Sequence, residues 1–310
     1  MIVLALAAGL ACVQADEPAQ KEGVQPCGTW EPAQILRAES PVTIDGVLDE
    51  PCWQRATPVQ CVYKWGSAGE AGTRPWMTAR FAWDEKYLYI AYEAFDENIQ
   101  AKGSGVIDGP EGNRRPGCLL IDSGTWMDIA EFQISFGDER MFWEIHHNAL
   151  NQFNDVWITV VDRDWGFADA DAARFGMLMM DYAYIPDEET RVPDKRGSRL
   201  AAAVRLAPKA DGSPSTVNDD QDADGGYTAE LRLPWYGLGA PSEARTWLQK
   251  DKAPGPWKMA GQEVHIMSIC QNGEVPGLYR HSSPTFPGGW YSLGYAHFPR
   301  YRFEEGSGAP

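Results

Sequence analysis

An acidic stretch at residues 220–225 (DQDADG) has the D-x-D-x-D-G spacing that gathers hard oxygen ligands around a calcium ion. The twelfth position of an EF-hand loop supplies a glutamate, whereas here that position is Leu231 and Glu230 comes one residue early. The residues that follow have a strand pattern instead of a helical one. These departures favour an acidic turn closed by its two glycines. A calcium site remains the alternative interpretation, and its ligands would be Asp220, Asp222 and Asp224.

Two adjacent histidines, His146 and His147, are the other residues that suggest metal chemistry. Adjacent side chains of a strand point to opposite faces, so these two cannot easily chelate one ion. Paired carboxylates could perform the acid and base chemistry of glycoside hydrolysis at separations of about 5–5.5 Å or 6.5–9.5 Å. Sequence spacing alone does not identify such a pair in an acidic chain.

Tryptophan is abundant, with 13 residues in 310. Pyranose rings present flat C–H patches that stack on aromatic faces, while their hydroxyls need planar or charged hydrogen-bond partners. Some of these tryptophans are therefore expected to be exposed for ligand binding. Most of the tryptophans must still be core residues, and Trp53, Trp83 and Trp235 are predicted to be among them.

The net charge of the chain is -17, from 27 Lys and Arg against 44 Asp and Glu. A polyanion would meet repulsion over most of such a surface, which argues against nucleic acid as a partner. Hydrophobic residues make up 44% of the chain, as in ordinary globular proteins. The composition therefore predicts a folded body that suits a neutral partner such as a sugar polymer.

The first 15 residues have the features of a bacterial signal peptide: an apolar run followed by Val13-Gln14-Ala15, a small-x-small cleavage pattern. We expect cleavage after Ala15 and a secreted, periplasmic or cell-surface location. Lipidation of Cys12 is less favoured, because Gly9 stands where a lipoprotein signal carries leucine. The run is too short to span a bilayer, and no later segment is apolar enough to be transmembrane.

The remaining cysteines do not predict a metal site, since they have neither C-x-x-C spacing nor neighbouring histidines. An oxidising compartment would permit a disulfide between Cys52 and Cys61, the pair closest in sequence, but connectivity stays open.

Short runs rich in Val, Ile, Tyr, Phe and Trp recur between Gly, Pro, Asn and Asp, and this is the pattern of antiparallel strands. The strand candidates are residues 81–83, 87–94, 129–136, 141–147, 156–161, 200–206, 227–233 and 263–270. Only residues 241–250 look helical. We predict an all-β fold: a two-sheet antiparallel β-sandwich of jelly-roll or immunoglobulin-like type, with long rim insertions at 164–200 and 207–226. The sandwich is expected to span 31–305, between flexible segments at 16–30 and 306–310.

Four sequence blocks occur in the order and spacing of family 9 carbohydrate-binding modules, which this chain resembles. Residues 42–53 (VTIDGVLDEPCW) are similar to the family's opening I-D-G-x-L-D-E-x-x-W signature, and residues 82–91 (AWDEKYLYIA) to its W-D-x-x-x-L-Y-V hairpin. Residues 128–132 (DIAEF) resemble its D-x-V-E-I-F strand, and residues 226–235 (GYTAELRLPW) its G-Y-x-x-E-x-x-I-P-W strand. The resemblance implies a DOMON-like sandwich that grips sugars between two tryptophans, often with structural calcium nearby.

The resemblance also assigns candidate ligand-binding residues. Trp126 and Trp290 stand where the family carries its two stacking tryptophans, and Glu131 matches an acidic residue that contacts sugar hydroxyls. Residues 141–151 are similar to the family's central strand, which ends in a polar turn that includes Asn148. The family's arginine on that strand is replaced, since Trp143 and Glu144 stand there. The polar residues of the late strand are placed near Gln271 and Asn272.

Three functions follow as hypotheses. The favoured one is an exported carbohydrate-binding module that serves polysaccharide catabolism, has no catalytic residue of its own and has a glycoside hydrolase as partner. The second is a hydrolase that cleaves O-glycosyl bonds. The third is a haem-binding electron-transfer domain, because related sandwiches hold haem in the same pocket with Met, His or Lys ligands. His146, His147 and the methionines within residues 177–180 are the available haem ligands.

Overall fold

The computed structural model describes residues 32–64, 72, 74–101, 128–136, 141–151, 153–160, 177–180, 185–186, 193–194, 200–221, 223–235, 259–272, 280–284 and 298–306. The predicted signal peptide, the segment 16–30 and the predicted helix 241–250 lie outside these residues. The boundaries proposed for the sandwich therefore stay predictions. Among the described residues, no helix has both the length and the apolar character needed to cross a bilayer.

The described chain is almost entirely β-structure. Its strands are β1 (Ala33–Arg37), β2 (Val59–Cys61), β3 (Tyr63–Lys64), β4 (Met77–Trp83), β5 (Tyr87–Ala94), β6 (Ile129–Ser135), β7 (Met141–His147), β8 (Phe153–Val160), β9 (Met177–Met180), β10 (Ile185–Pro186), β11 (Pro193–Asp194), β12 (Ala201–Leu206), β13 (Tyr227–Pro234), β14 (Glu263–Asn272), β15 (Arg280–Ser283) and β16 (Arg300–Glu304). One short helix, α1 (Pro51–Arg55), interrupts them. The all-β class predicted from the sequence is confirmed. The helix was not predicted; it begins with a proline at its first turn, a position that proline tolerates well.

The predicted hairpin at residues 81–94 shows how local sequence sets the strands. Asp84 closes the turn between β4 and β5, where its Oδ1 accepts hydrogen bonds from the backbone N–H of Lys86 and Tyr87 at 2.7 and 2.8 Å. The Tyr89 hydroxyl donates to the other oxygen of the same carboxylate. The side chain thus replaces backbone partners in the turn, as aspartate commonly does.

Fourteen of the described strands form one strongly curled sheet, whose main path has the order β12-β13-β5-β4-β1-β16-β14-β6-β7-β8-β9. Strands β2, β3 and β15 pair beside this path, and β10 and β11 pair only with each other. Most pairs are antiparallel, but β1 runs parallel to both of its neighbours. Four strands separate β5 from β6 in this order, yet the ring of Tyr92 on β5 lies 5.8 Å from that of Phe132 on β6. The sheet therefore curls into a half-barrel around its own core, and the predicted division into two sheets is not confirmed.

The core fills the inside of this curl with aromatic and branched side chains. Trp53, Trp83 and Trp235 are all buried, as predicted. The ring of Phe303 lies 5.9 Å from that of Trp83 and 5.2 Å from that of Trp235, in edge-to-face geometry. Such pairs stabilise a core by about 0.5–1.5 kcal/mol beyond the area that they bury.

The first and fourth sequence blocks meet at one buried carboxylate, which we call the Glu230 site (Glu230 with Asp45, Gly46 and Trp53). Glu230 Oε2 accepts hydrogen bonds from the backbone N–H of Asp45 and Gly46 at 3.0 and 2.9 Å. Its Oε1 accepts one from Trp53 Nε1 at 2.8 Å. Burial raises the pKa of Glu230 to about 7, while the three donors oppose that rise. The glutamate therefore ties the opening loop to strand β13.

Candidate functional site

Strands β14, β6 and β7 lie side by side and are buried on both faces where they carry the candidate residues. Ala130, Phe132 and Ile134 of β6 point into the core. Because strand side chains alternate, Glu131 and Gln133 point to the opposite side, which we call the second face. All seven residues of β6 are buried nonetheless. The second face is therefore a polar surface that is shielded from bulk water.

The register brings four polar side chains together on this face. Glu131 pairs across the ladder with His146, and Gln133 pairs with Glu144. All four are between 0% and 5% exposed. We call this group the carboxylate–histidine cluster (Glu131, Gln133, Glu144 and His146).

The cluster is built around one imidazole nitrogen and one amide nitrogen. His146 Nε2 lies 3.5 Å from Glu131 Oε2 and 3.3 Å from Glu144 Oε1. Gln133 Nε2 donates to Glu131 Oε1 and, at 3.3 Å, to Glu144 Oε2. A single amide therefore bridges the two carboxylates from one side, while the imidazole faces both from the other.

The electrostatics of the cluster are unusual for a buried site. Two carboxylates face one imidazole and one amide there, and all four side chains are buried. Taking a charge out of water costs several kcal/mol unless partners replace the lost hydration. This arrangement suits a ligand that brings hydrogen-bond donors or positive charge.

His147 lies on the core side, so the two adjacent histidines point to opposite faces as predicted. Its Nε2 donates to Asn151 Oδ1 at 3.0 Å, and its Nδ1 lies 2.7 Å from the Tyr92 hydroxyl. Asn151 is held in this orientation because its Nδ2 donates to the Ala202 carbonyl at 3.0 Å. Burial lowers the pKa of His147 to about 4. Both ring nitrogens of a neutral imidazole are engaged, so haem ligation by His147 would break one of these bonds.

The structure separates the residues that the sequence proposed for ligand binding. Glu131 belongs to the cluster, and Gln271 lies on the same face, because it pairs with Ile129 two positions along β6. Asn148 instead closes the turn after β7, where its Oδ1 accepts the Leu150 backbone N–H at 3.1 Å. Asn272 is alternate to Gln271 and lies near Asp96, with Nδ2 and Oδ2 3.5 Å apart. Trp126 and Trp290 lie outside the described residues.

The predicted calcium ligands are described only in part, because Asp222 lies outside the described residues. Asp220 is exposed. Asp224 is buried and accepts the backbone N–H of Ile99 at 3.0 Å and of Thr216 at 2.8 Å. Its carboxylate thereby links two loops.

The acidic stretch is closed by Gly225 and Gly226, where other backbone segments come too close to leave room for a side chain. A Cβ at Gly225 would lie 2.1 Å from the Pro208 carbonyl oxygen. A Cβ at Gly226, where φ is +83°, would lie 2.2 Å from the Ala94 carbonyl oxygen. A side chain at either position would collide with fixed backbone.

Sequence reasoning missed Gln133 and Glu144 as site residues. Glu144 was noted only as a departure from the family's arginine, and His146 was considered only as a metal or haem ligand beside His147. A usable signal was present: E-x-Q in β6 and E-x-H in β7 each place two polar residues on one face of a hydrophobic strand. Pairing those strands in register would have predicted the cluster.

Three cysteines, Cys52, Cys61 and Cys270, are buried free thiols. The disulfide considered between Cys52 and Cys61 is therefore not formed. Burial raises the pKa of Cys52 to about 12, and that of Cys61 further still, so neither thiol is a reactive nucleophile.

Comparison with known proteins gives similarity only among solved structures. No family model matches the chain, and no curated protein matches it. A family 9 carbohydrate-binding module from Caldicellulosiruptor kristjanssonii in complex with cellotriose is 12% identical, with 89% of this chain and 95% of that chain covered and a TM-score of 0.47. The structure of a family 9 module from the same organism in complex with glucose is 11% identical, with 89% and 98% covered and a TM-score of 0.47.

Proposed function

We propose that this protein binds carbohydrate on the second face of β14, β6 and β7. The observation that carries the proposal is that Glu131, the acidic residue of the third sequence block, lies there among further polar side chains. Carboxylates and amides in one plane offer the acceptors and donors that sugar hydroxyls need when they leave water. Glu131 and Gln271 supply such groups from neighbouring strands, in a place shielded from solvent.

Aromatic stacking completes the proposed site. Trp126 is the first proposed stacking residue, two residues before Asp128 in the sequence. Trp290 is the second proposed stacking residue, from a late segment rich in Gly and Pro. A sugar ring between two indoles would bury its C–H faces while its hydroxyls reach the polar residues.

Affinity electrophoresis against soluble polysaccharides tests this proposal, preceded by a glycan array that selects the polymer. The wild-type protein should be retarded, and a Trp126→Ala, Trp290→Ala double variant should migrate as in a gel without polysaccharide. Trp30→Ala is the matched control, because Trp30 lies in the segment predicted to be flexible, and it should bind like wild type. Unchanged retardation of the double variant would refute the stacking site.

A glycoside hydrolase is the second candidate, favoured by the closeness of two buried carboxylates, Glu131 and Glu144. Hydrolysis needs one carboxyl group as acid and another as base or nucleophile. Release of reducing sugar by the purified protein, lost in a Glu144→Gln variant, would favour this candidate over a binding module. Absence of release on a broad substrate panel would end it.

The proposal of carbohydrate binding extends to the location of the protein and to its partner. We propose export by the N-terminal segment, and service to a partner glycoside hydrolase in polysaccharide catabolism. Calcium at Asp220, Asp222 and Asp224 is proposed only as a structural ion, because Asp224 already links two loops through its backbone partners. Cleavage after Ala15 is checked by the N-terminal sequence of the exported protein.

A further inference from the structure

The distances within the carboxylate–histidine cluster point to an ion. His146 Nε2 lies 3.5 Å from a Glu131 oxygen and 3.3 Å from a Glu144 oxygen. Charge-assisted hydrogen bonds between such groups are about 2.7–2.9 Å long. Ligand atoms around a tetrahedral metal with bonds of about 2.0–2.2 Å are separated by about 3.4 Å. The two distances from His146 Nε2 match the ligand–ligand distances around a metal ion better than they match the lengths of hydrogen bonds.

The three side chains also converge as a ligand set. One ligand atom from each of Glu131, Glu144 and His146 can be chosen so that all three lie within 4.8 Å of one another. All three residues are buried, and each lies within a strand. Ligands on rigid strands are held in place before the ion arrives, which reduces the ordering cost of binding.

Gln133 gives a second, independent indication of a ligand. It is fully buried and its Nε2 donates to both carboxylates, which fixes their orientation as outer partners of metal ligands commonly do. Its Oε1 is also buried, and within the described residues it accepts no hydrogen bond. A buried amide oxygen costs about 1–3 kcal/mol when it has no donor. A metal-bound water at the cluster would supply that donor.

The donor set selects the class of ion. Calcium takes six to eight oxygen ligands, whereas this cluster offers two carboxylates and one imidazole. Imidazole with carboxylate suits zinc and neighbouring divalent transition metals. A divalent cation would also neutralise both carboxylates while His146 stays neutral.

We propose that Glu131, Glu144 and His146 bind one divalent transition-metal ion of the Zn²⁺ class, with Gln133 as a positioning residue that orients the two carboxylates. The inference does not rest on carbohydrate binding, although Glu131 takes part in both sites. An ion held there would leave coordination positions open to a water or to a sugar hydroxyl.

Isothermal titration with ZnCl₂ tests the proposal on the full chain, purified without a histidine tag and stripped with a chelator. We expect one strong site per chain. His146→Gln and Glu144→Gln should each weaken binding more than about 100-fold, since loss of an outer partner alone costs 10–100-fold. Gln133→Met should weaken it by that smaller factor, and it serves as the second variant if a ligand variant fails to fold.

Two control variants outside the cluster match the ligand variants in residue type and in the change of charge. His265→Gln changes a histidine of β14 that is not part of the cluster, and Glu263→Gln removes a glutamate whose partners are Arg300 and Arg302. Both should bind Zn²⁺ like wild type. In a ¹⁵N-labelled sample, zinc should shift the ring signals of His146 among the five histidines of the chain.

Failure of this site is distinguishable from failure of the sugar site. Zinc binding that is absent in the wild type, or equally strong in His146→Gln, Glu144→Gln and Gln133→Met, would overturn the proposal whatever the polysaccharide gels show. Polysaccharide binding that is lost while zinc binding persists would overturn the proposed function alone.

Discussion

Two buried carboxylate sites of this molecule differ in the lengths of their hydrogen bonds and in the number of carboxylates that lie together. At the Glu230 site, one carboxylate receives three N–H donors at 2.8–3.0 Å. In the carboxylate–histidine cluster, two carboxylates share one amide and one imidazole at 3.3 Å or more for three of the four contacts. The first carboxylate is held by short hydrogen bonds from fixed backbone and indole groups, whereas in the second site two carboxylates lie beside one imidazole at longer separations. A carboxylate held by short hydrogen bonds stabilises the fold, and a pair of buried carboxylates beside an imidazole is suited to bind a ligand.

Removal of the carboxylate should be most damaging at the Glu230 site. Glu230→Leu leaves three buried N–H groups without their acceptor, at about 1–3 kcal/mol for each. We expect the free energy of unfolding to fall by at least about 3 kcal/mol, measured by urea denaturation. Glu263→Gln, which disturbs a half-exposed ion pair, should change it by less than about 1 kcal/mol. A loss below 1 kcal/mol for Glu230→Leu would show that the site is not structural.

The glycine of the same site should tolerate no side chain. Gly46 has a φ of +81°, and a Cβ there would lie 2.9 Å from the backbone nitrogen of Arg205. Gly46→Ala should therefore destabilise the protein by about 1–3 kcal/mol. Gly212→Ala is the control, since its φ is +84° but no atom lies within 4 Å of the added Cβ. The difference in the free energy of unfolding between the two variants measures the cost of the steric clash at Gly46. Equal losses of stability in both variants would show that the clash contributes nothing.

In the carboxylate–histidine cluster, removal of a carboxylate should stabilise the protein instead of destabilising it. Glu144→Gln removes one of two facing carboxylates and keeps the shape of the side chain. In the presence of a chelator, we expect the free energy of unfolding to rise by about 0.5–2 kcal/mol, as is common when a functional site is neutralised. Thermal and urea denaturation both measure this change. Destabilisation by more than 1 kcal/mol would show that the two sites do not differ as described.

The pH dependence of stability should separate Glu230 from His147. The pKa of Glu230 is about 7 in the folded protein against an ordinary 4.5, so the folded state binds the additional proton between these values. Its contribution to stability is complete below pH 4.5 and is lost as the pH rises to about 7. The pKa of His147 is lowered from 6.5 to about 4, so its contribution is complete above pH 6.5 and is lost as the pH falls to about 4.

Between pH 4.5 and 6.5, the titrations of Glu230 and His147 change the free energy of unfolding in opposite directions. A Glu230→Gln variant should therefore lose stability more steeply than wild type on acidification through this window. Urea denaturation at pH 4.5, 5.5, 6.5 and 7.5 measures both slopes. Parallel curves for the two proteins would contradict the raised pKa of Glu230.

The sequence predicted local structure better than it predicted the site. The bounds of β7 match the prediction at residues 141–147, because alternation and flanking turn residues mark a strand locally. The curled sheet could not be predicted in this way, since Tyr92 and Phe132 meet only through long-range strand order. The cluster could not be predicted for the same reason, because Glu131 and His146 become neighbours only through the register of the paired strands. Glu131 was found because the family resemblance marked it.

Amide NMR of the labelled protein, titrated with the oligosaccharide chosen from the glycan array, tests carbohydrate binding on the second face most directly. We predict that the largest chemical-shift changes fall on β6, β7 and β14, around Glu131, Gln133 and Gln271, while the Glu230 site stays unchanged. Shifts confined to other strands, or no shift at saturating ligand, would contradict the account.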